Sequence, residues 1–195
     1  MLHSFYKDAV WDLPNSKNEV FLTFDDGPVP GVTDAVLSIL KSKGVQATFF
    51  VVGENVAKNP ELFARLAYEG HQVGNHTYNH LKGWKTDKLT YLENIQKCAD
   101  LVDSKLFRPP YGKIKKAQLK EVAKDYKVIM WDVLSGDFDT SNSVQNVIDN
   151  VLKNTQSGSI IVMHDNEKSA DLMLAALPQI IDGLLAKGFS FGLIS

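Results

Sequence analysis

Two kinds of segment alternate along this chain with little interruption. Apolar, β-branched or aromatic runs of strand length recur at 20–24, 48–52, 72–73, 106–107, 128–131, 159–163 and 190–193. Between them lie stretches with helical spacing, the clearest at 32–43, 60–69 and 172–187, ended by Gly44, Gly70 and Gly188. Glycine there suits the left-handed residue that closes a helix. Asn59 before Pro60 reads as an N-cap with proline in the first turn. Strands separated by helices need crossovers, so the expected class is α/β with a mainly parallel sheet covered on both faces. Eight complete βα units take about 250 residues. At 195 residues the chain fits a distorted (β/α) barrel with about seven parallel strands better, with an open doubly wound sheet as the alternative. No repeat, low-complexity tract or Pro/Gly/Ser linker divides it. Residues 20–195 therefore read as one domain, and 1–19 as an N-terminal arm packed on it.

Composition narrows the function classes. A chain of this length buries about 70% of its unfolded surface, enough for a core without staples. Lys+Arg number 21 against 23 Asp+Glu, a net charge of −2, which gives no electrostatic basis for binding nucleic acid or an anionic membrane. The small basic cluster Lys113, Lys115, Lys116 and Lys120 reads as a solvated helix start. One cysteine, Cys98, excludes an intramolecular disulfide and is expected as a small buried residue within a helical stretch at 91–103. No run is long enough to span a bilayer. Met1 to Ser4 lack the features of a signal peptide, so a cytoplasmic location is expected unless a leader has been removed.

In a parallel α/β protein, ligands meet the C-terminal ends of the strands. The residues following the apolar runs are accordingly informative: Asp25-Asp26-Gly27-Pro28, then Asn75 and His76 through His80, then Arg108, then Asp132, Asp137 and Asp139, then His164-Asp165. On a strand, His76 and His80 would stand roughly 13 Å apart. On a helical turn their Cβ atoms would lie about 5–6 Å apart, close enough to share one ion, and such a turn is the expectation. Asp25 and Asp26 would repel one another without a cation; with one, a carboxylate can ligate while its neighbour stays free as a base. Two histidines and a carboxylate leave open positions, the pattern of a catalytic zinc. His164 has three readings, as a fourth ligand, a general acid or a core histidine, and its place on the rim favours the acid. His3 and His71 have no comparable company and are assigned nothing. Trp131 reads equally as a pocket wall or as strand-end core.

Four blocks, Thr23-Phe24-Asp25-Asp26-Gly27-Pro28, His76-Thr77-Tyr78-Asn79-His80, Arg108-Pro109-Pro110-Tyr111-Gly112 and Ile161-Val162-Met163-His164-Asp165, resemble in order the signature motifs of the polysaccharide deacetylases. This is the NodB-homology domain of carbohydrate esterase family 4, and the likeness runs from about Val20 to the C-terminus. The resemblance implies a distorted (β/α) barrel and a metal triad of Asp26, His76 and His80. It also implies Asp25 as base, His164 as acid, Arg108 as the residue orienting the base, and the Tyr111 amide as oxyanion donor. The implied cofactor is one divalent metal, zinc by default, with cobalt, nickel or manganese as alternatives. The family's Asp-x-x-Asp-Trp segment is Leu134-Ser135-Gly136-Asp137-Phe138 here. Asp137 matches the carboxylate that tunes the acid, whereas Leu134 and Phe138 depart from the pattern. The implied reaction is removal of an acetyl group, N-acetyl before O-acetyl, from a carbohydrate polymer or oligosaccharide by attack of a metal-bound water. An O-acetyl (xylan-type) esterase with the same site, or an inactive carbohydrate-binding domain, is the alternative.

Overall fold

The computed structural model describes residues 6–194. Among these, nine strands form one sheet in the order β1-β6-β5-β4-β3-β2-β8-β7, with β9 also pairing β2, and every ladder is parallel. The strands are β1 (Ala9–Val10), β2 (Glu19–Asp25), β3 (Thr48–Val51), β4 (Gln72–Asn75), β5 (Leu106–Phe107), β6 (Lys127–Ile129), β7 (Val133–Leu134), β8 (Ile160–His164) and β9 (Ser190–Phe191). Helices α1 (Val32–Lys43), α2 (Gly53–Lys58), α3 (Pro60–Tyr68), α4 (Lys88–Ala99), α5 (Lys116–Val122), α6 (Val144–Asn154) and α7 (Ala170–Ala186) connect them. This is the distorted (β/α) barrel, and it stays open because no ladder joins the edge strands β1 and β7.

A seam narrows the gap. Asp12 bridges Ser159 in antiparallel fashion, and Leu13 N–H donates to the Gly158 carbonyl at 2.8 Å. Asp132 accepts from Ile160 N–H at one oxygen and from the Ser159 hydroxyl at the other, both at 2.7 Å. The segment before residue 20 therefore contributes an edge strand as well as packing.

The two faces of β2 show why the site lies inside the curl. Side chains alternate along a strand. Val20, Leu22 and Phe24 point outward into a core shared with Val36, Leu40, Leu177 and Ile181 of α1 and α7. Phe21 points inward with Phe50, Leu106, Ile129 and Ile160. Thr23 and Asp25 share that inward face. Each fully buried Phe or Leu contributes about 1.5–3 kcal/mol by leaving water, so the outward layer anchors the strands while the inward face can carry polar groups.

The structure departs from the sequence expectations at several points. Two more strands are present than the seven apolar runs: β1 and β7, of two residues each, lie outside them. Asn59 does not cap α3 with its side chain; its Nδ2 donates instead to the carbonyls of Asn55 and Pro28. Helix α4 starts at Lys88, because the Asp87 carboxylate accepts from Thr90 N–H, and it ends at Ala99 rather than 103. Cys98 is buried in it. His3 lies outside the described residues. No helix among those described is long and apolar enough to cross a membrane.

Candidate active site

Register brings the polar strand ends to one level. Asp25 pairs with His164 across β2 and β8, Val51 with Asn75 across β3 and β4, and Asn75 with Phe107 across β4 and β5. His76 and Arg108 follow directly on those strands. All the sequence-predicted residues except the rim residue Tyr111 thus leave neighbouring strands or the loops just beyond them.

Arg108 is the centre of the interior. It is fully buried, its Nη1 donates to Asp25 Oδ1 and to Thr23 Oγ1, both at 2.7 Å, and its remaining nitrogens reach the Ile129 and Met130 carbonyls. The guanidinium lies over the Phe50 ring at 4.1 Å, with Trp131 on another side at 5.6 Å. Trp131 is therefore a wall beside Arg108, half-buried just past β6. Removing one member of a buried ion pair costs about 3–5 kcal/mol, because the other charge is left unpaired.

His76 and His80 do come together, with ring centroids 5.1 Å apart, but not on a helical turn. The segment after β4 is a loop in which Thr77 (φ 65°) and His80 (φ 57°) adopt left-handed backbone. Asn75 builds it: its Oδ1 accepts from Thr77 N–H at 2.8 Å while its Nδ2 donates to the Ile95 carbonyl. The Gly53 and Glu54 amides at the start of α2 donate to the Thr77 and Tyr78 carbonyls, and Asn94 of α4 accepts from Tyr78 N–H. Neighbouring helices thus hold a conformation that local propensity does not favour.

Asp26, His76 and His80 each offer a ligand atom, and these atoms lie within 4.8 Å of one another. His76 Nδ1 lies 2.7 Å from the Arg108 carbonyl, which can only accept, so the proton sits on Nδ1 and Nε2 carries the lone pair. Burial, outweighing nearby carboxylates, pushes this imidazole down to about 4 and keeps it neutral. Asp26 Oδ1 is buried without a hydrogen bond and faces Nε2 of His80 at 3.1 Å and of His76 at 3.6 Å. Burial opposes ionisation of Asp26, yet the close His80 contact, with His76 and His164 nearby, holds it well below the usual carboxylate range. A buried orphan oxygen facing two imidazole nitrogens fits a divalent cation, and the N/O donor set suits zinc.

The other wall is built around His164. Asp137 is fully buried; one oxygen accepts from His164 N–H and the other lies 2.7 Å from Nδ1. Burial alone would lower the imidazole, but Asp137 and then Asp25 and Asp26 raise it to about 9. The Phe138 ring stands edge-on to His164 at 5.4 Å, and both Phe138 and Leu134 are partly exposed. Tyr111 faces the opposite rim in left-handed backbone (φ 62°), its exposed ring 4.6 Å from His80.

A supporting layer that the sequence motifs do not assign lies behind these residues. Asp165 is buried, accepts from Gly27 N–H at 3.0 Å and from the Thr33 hydroxyl at 2.6 Å, and is pushed by burial up to about 8. A Cβ on Gly27 would stand 2.0 Å from Asp165 Oδ2, so only glycine fits there. Asn166 donates to Asp26 Oδ2 at 2.6 Å. These residues follow β8 in the polar stretch that begins with His164, which is the signal that marks them. His71, by contrast, accepts from Ala47 N–H at the start of the strands, away from this rim.

Known proteins resemble this chain over most of its length. The polysaccharide deacetylase family matches residues 12–130, more than half of the chain. A peptidoglycan-N-acetylglucosamine deacetylase of Bacillus cereus is 36% identical over 201 residues, covering 96% of this chain and 91% of that protein. The crystal structure of a peptidoglycan N-acetylglucosamine deacetylase in complex with 4-naphthalen-1-yl-N-oxidanyl-benzamide superposes with a TM-score of 0.93 at 34% identity, covering 100% of this chain and 94% of that one. A family 4 carbohydrate esterase from Streptomyces lividans in complex with acetate gives 0.82 at 34% identity, over 91% of this chain and 93% of its own. By matched length, identity and superposition, this chain belongs to the polysaccharide deacetylases of carbohydrate esterase family 4, enzymes that hydrolyse acetyl groups from carbohydrate.

Proposed function

We propose that this protein removes the N-acetyl group from N-acetylglucosamine units of a peptidoglycan-type glycan, using one divalent metal ion. The observation that carries the reading is the pairing of Asp25 with His164 at one level of adjacent strands, flanking the Asp26, His76 and His80 cluster. The glycan assignment follows the activity that names the Bacillus cereus relative and the structural neighbour with the higher TM-score.

Asp26, His76 and His80 would hold the ion. When bound it supplies Lewis acidity, polarising the acetyl carbonyl and making a water acidic enough to attack near neutral pH. Asp25 takes the proton of that water at Oδ2, since Oδ1 is engaged by Arg108. The Tyr111 backbone amide serves as oxyanion donor, in a left-handed turn set by Pro109 and Pro110. His164 keeps its Nδ1 proton on Asp137 and delivers its Nε2 proton to the leaving nitrogen as the C–N bond breaks. The products are acetic acid and the free amino sugar; Asp25 then loses its proton and His164 regains one from solvent.

Acetate release from N-acetylated peptidoglycan fragments, with chitooligosaccharides and acetylated xylan in parallel, tests the reading. Release from the peptidoglycan fragments above the other two is expected. Faster release from acetylated xylan would favour the esterase alternative, and no release from any with zinc present would overturn the proposal.

A further inference from the structure

We propose that Asn166 is a positioning residue that decides which oxygen of Asp26 is offered to the ion. The inference rests on the reading of Asp26, His76 and His80 as an ion-binding set. Asn166 Nδ2 donates to Asp26 Oδ2 at 2.6 Å, and Asn166 Oδ1 accepts from the Ser169 backbone N–H at 2.9 Å. An amide oxygen cannot donate, so the Ser169 contact forces the NH₂ end toward Asp26. Ser169 is buried at the start of α7, whose Met173, Leu177 and Ile181 lie in the main core. The amide is thereby tied to a rigid element.

Asp26 is fixed from two further sides. Its backbone is left-handed (φ 88°), unusual for a residue with a side chain. Asp26 N–H donates to the Phe50 carbonyl at 3.2 Å, and Asn55 Nδ2 donates to the Asp26 carbonyl at 2.8 Å. With the backbone held, the carboxylate retains rotation about its side-chain bonds, and Asn166 removes it by occupying Oδ2. Oδ1 is left buried, without a hydrogen bond, facing both imidazoles. A carboxylate with one oxygen hydrogen-bonded and one turned inward ligates through a single atom, which keeps positions on the ion open for water and substrate. Asn166 touches Asp26 rather than the reacting atoms, so it acts through the ligand.

The test is Zn²⁺ affinity by chelator competition without substrate, together with the visible spectrum of the Co²⁺ form. Asn166→Ala and the volume-keeping Asn166→Leu are measured beside wild type and His76→Ala. Both Asn166 variants are expected to bind Zn²⁺ about 10–100-fold more weakly, to alter the Co²⁺ bands, and to regain turnover as free Zn²⁺ is raised. Metal-free melting checks the fold of each variant. Wild-type affinity and an unchanged Co²⁺ spectrum in both would overturn the inference. Undiminished Zn²⁺ binding by His76→Ala would instead overturn the ion-binding reading beneath it.

Discussion

The strand end that carries His76 and the one that carries His164 differ in what faces the imidazole Nδ1. At His76 the partner is the Arg108 carbonyl, a neutral acceptor inside a fully buried setting, and the ring is pushed down to about 4. At His164 the partner is the buried Asp137 carboxylate, and the ring is raised to about 9 despite its burial. A carbonyl fixes the tautomer and leaves a lone pair to give; a carboxylate also holds a proton on the ring. Two copies of one side chain on one rim are thus divided by their partners, one kept neutral and one kept protonated, and the proposed roles rest on that division.

The largest effect expected from breaking this division lies on the ligand side. Asp26→Ala removes the only carboxylate of the cluster, and both bound metal and acetate release should fall to background, checked by metal analysis of purified protein. Asp25→Asn comes next. It keeps volume and ligands but loses the base, so kcat should drop about 10²–10⁴-fold with metal content unchanged. His164→Ala sharpens the comparison from the other side. Its amide substrates should lose about 10²–10⁴-fold, whereas activated aryl acetates, whose leaving groups need no proton, should lose far less.

The smallest effect is a displacement of the pH profile. Because His164 is raised to about 9 from 6.5, it stays protonated through neutrality and loses its proton as pH rises through about 9. Asp137→Asn removes the largest raising influence, so the alkaline limb of kcat should move to lower pH while metal content holds. The same sign governs stability. A raised imidazole stabilises the fold fully below about 6.5 and ceases to do so as pH passes about 9. The stability gap between wild type and Asp137→Asn should therefore narrow from pH 6 to pH 10 in denaturant titrations.

Much of this was legible because strand ends announce themselves. Each of the seven apolar runs overlaps a strand, and reading past their C-terminal ends reaches Asp25, Asp26, His76, Arg108 and His164. Strands β1 and β7 lie outside those runs; like the equally short β5 and β9 they carry no periodicity of their own, and partners on β6 and β8 define them. The His76–His80 segment misled for a related reason. A spacing of four brings two rings together on a helix, and a loop with two left-handed residues does so as well. Neither Thr77 nor His80 is a glycine, so nothing local signals that backbone; the bonds from Asn75, Gly53 and Asn94 impose it. Asn166 was hidden differently. Its place after His164 is visible in the sequence, but its grip on Asp26, 140 residues earlier, exists only in the fold.

Zinc stoichiometry and affinity in His76→Ala and His164→Ala, measured side by side by chelator competition on folded protein, test the division of roles most directly. The expected result is one Zn²⁺ at wild-type affinity in His164→Ala and marked loss of binding in His76→Ala. Equal loss in both would make His164 a ligand, and full retention in His76→Ala would remove it from the metal set; either result would contradict the account.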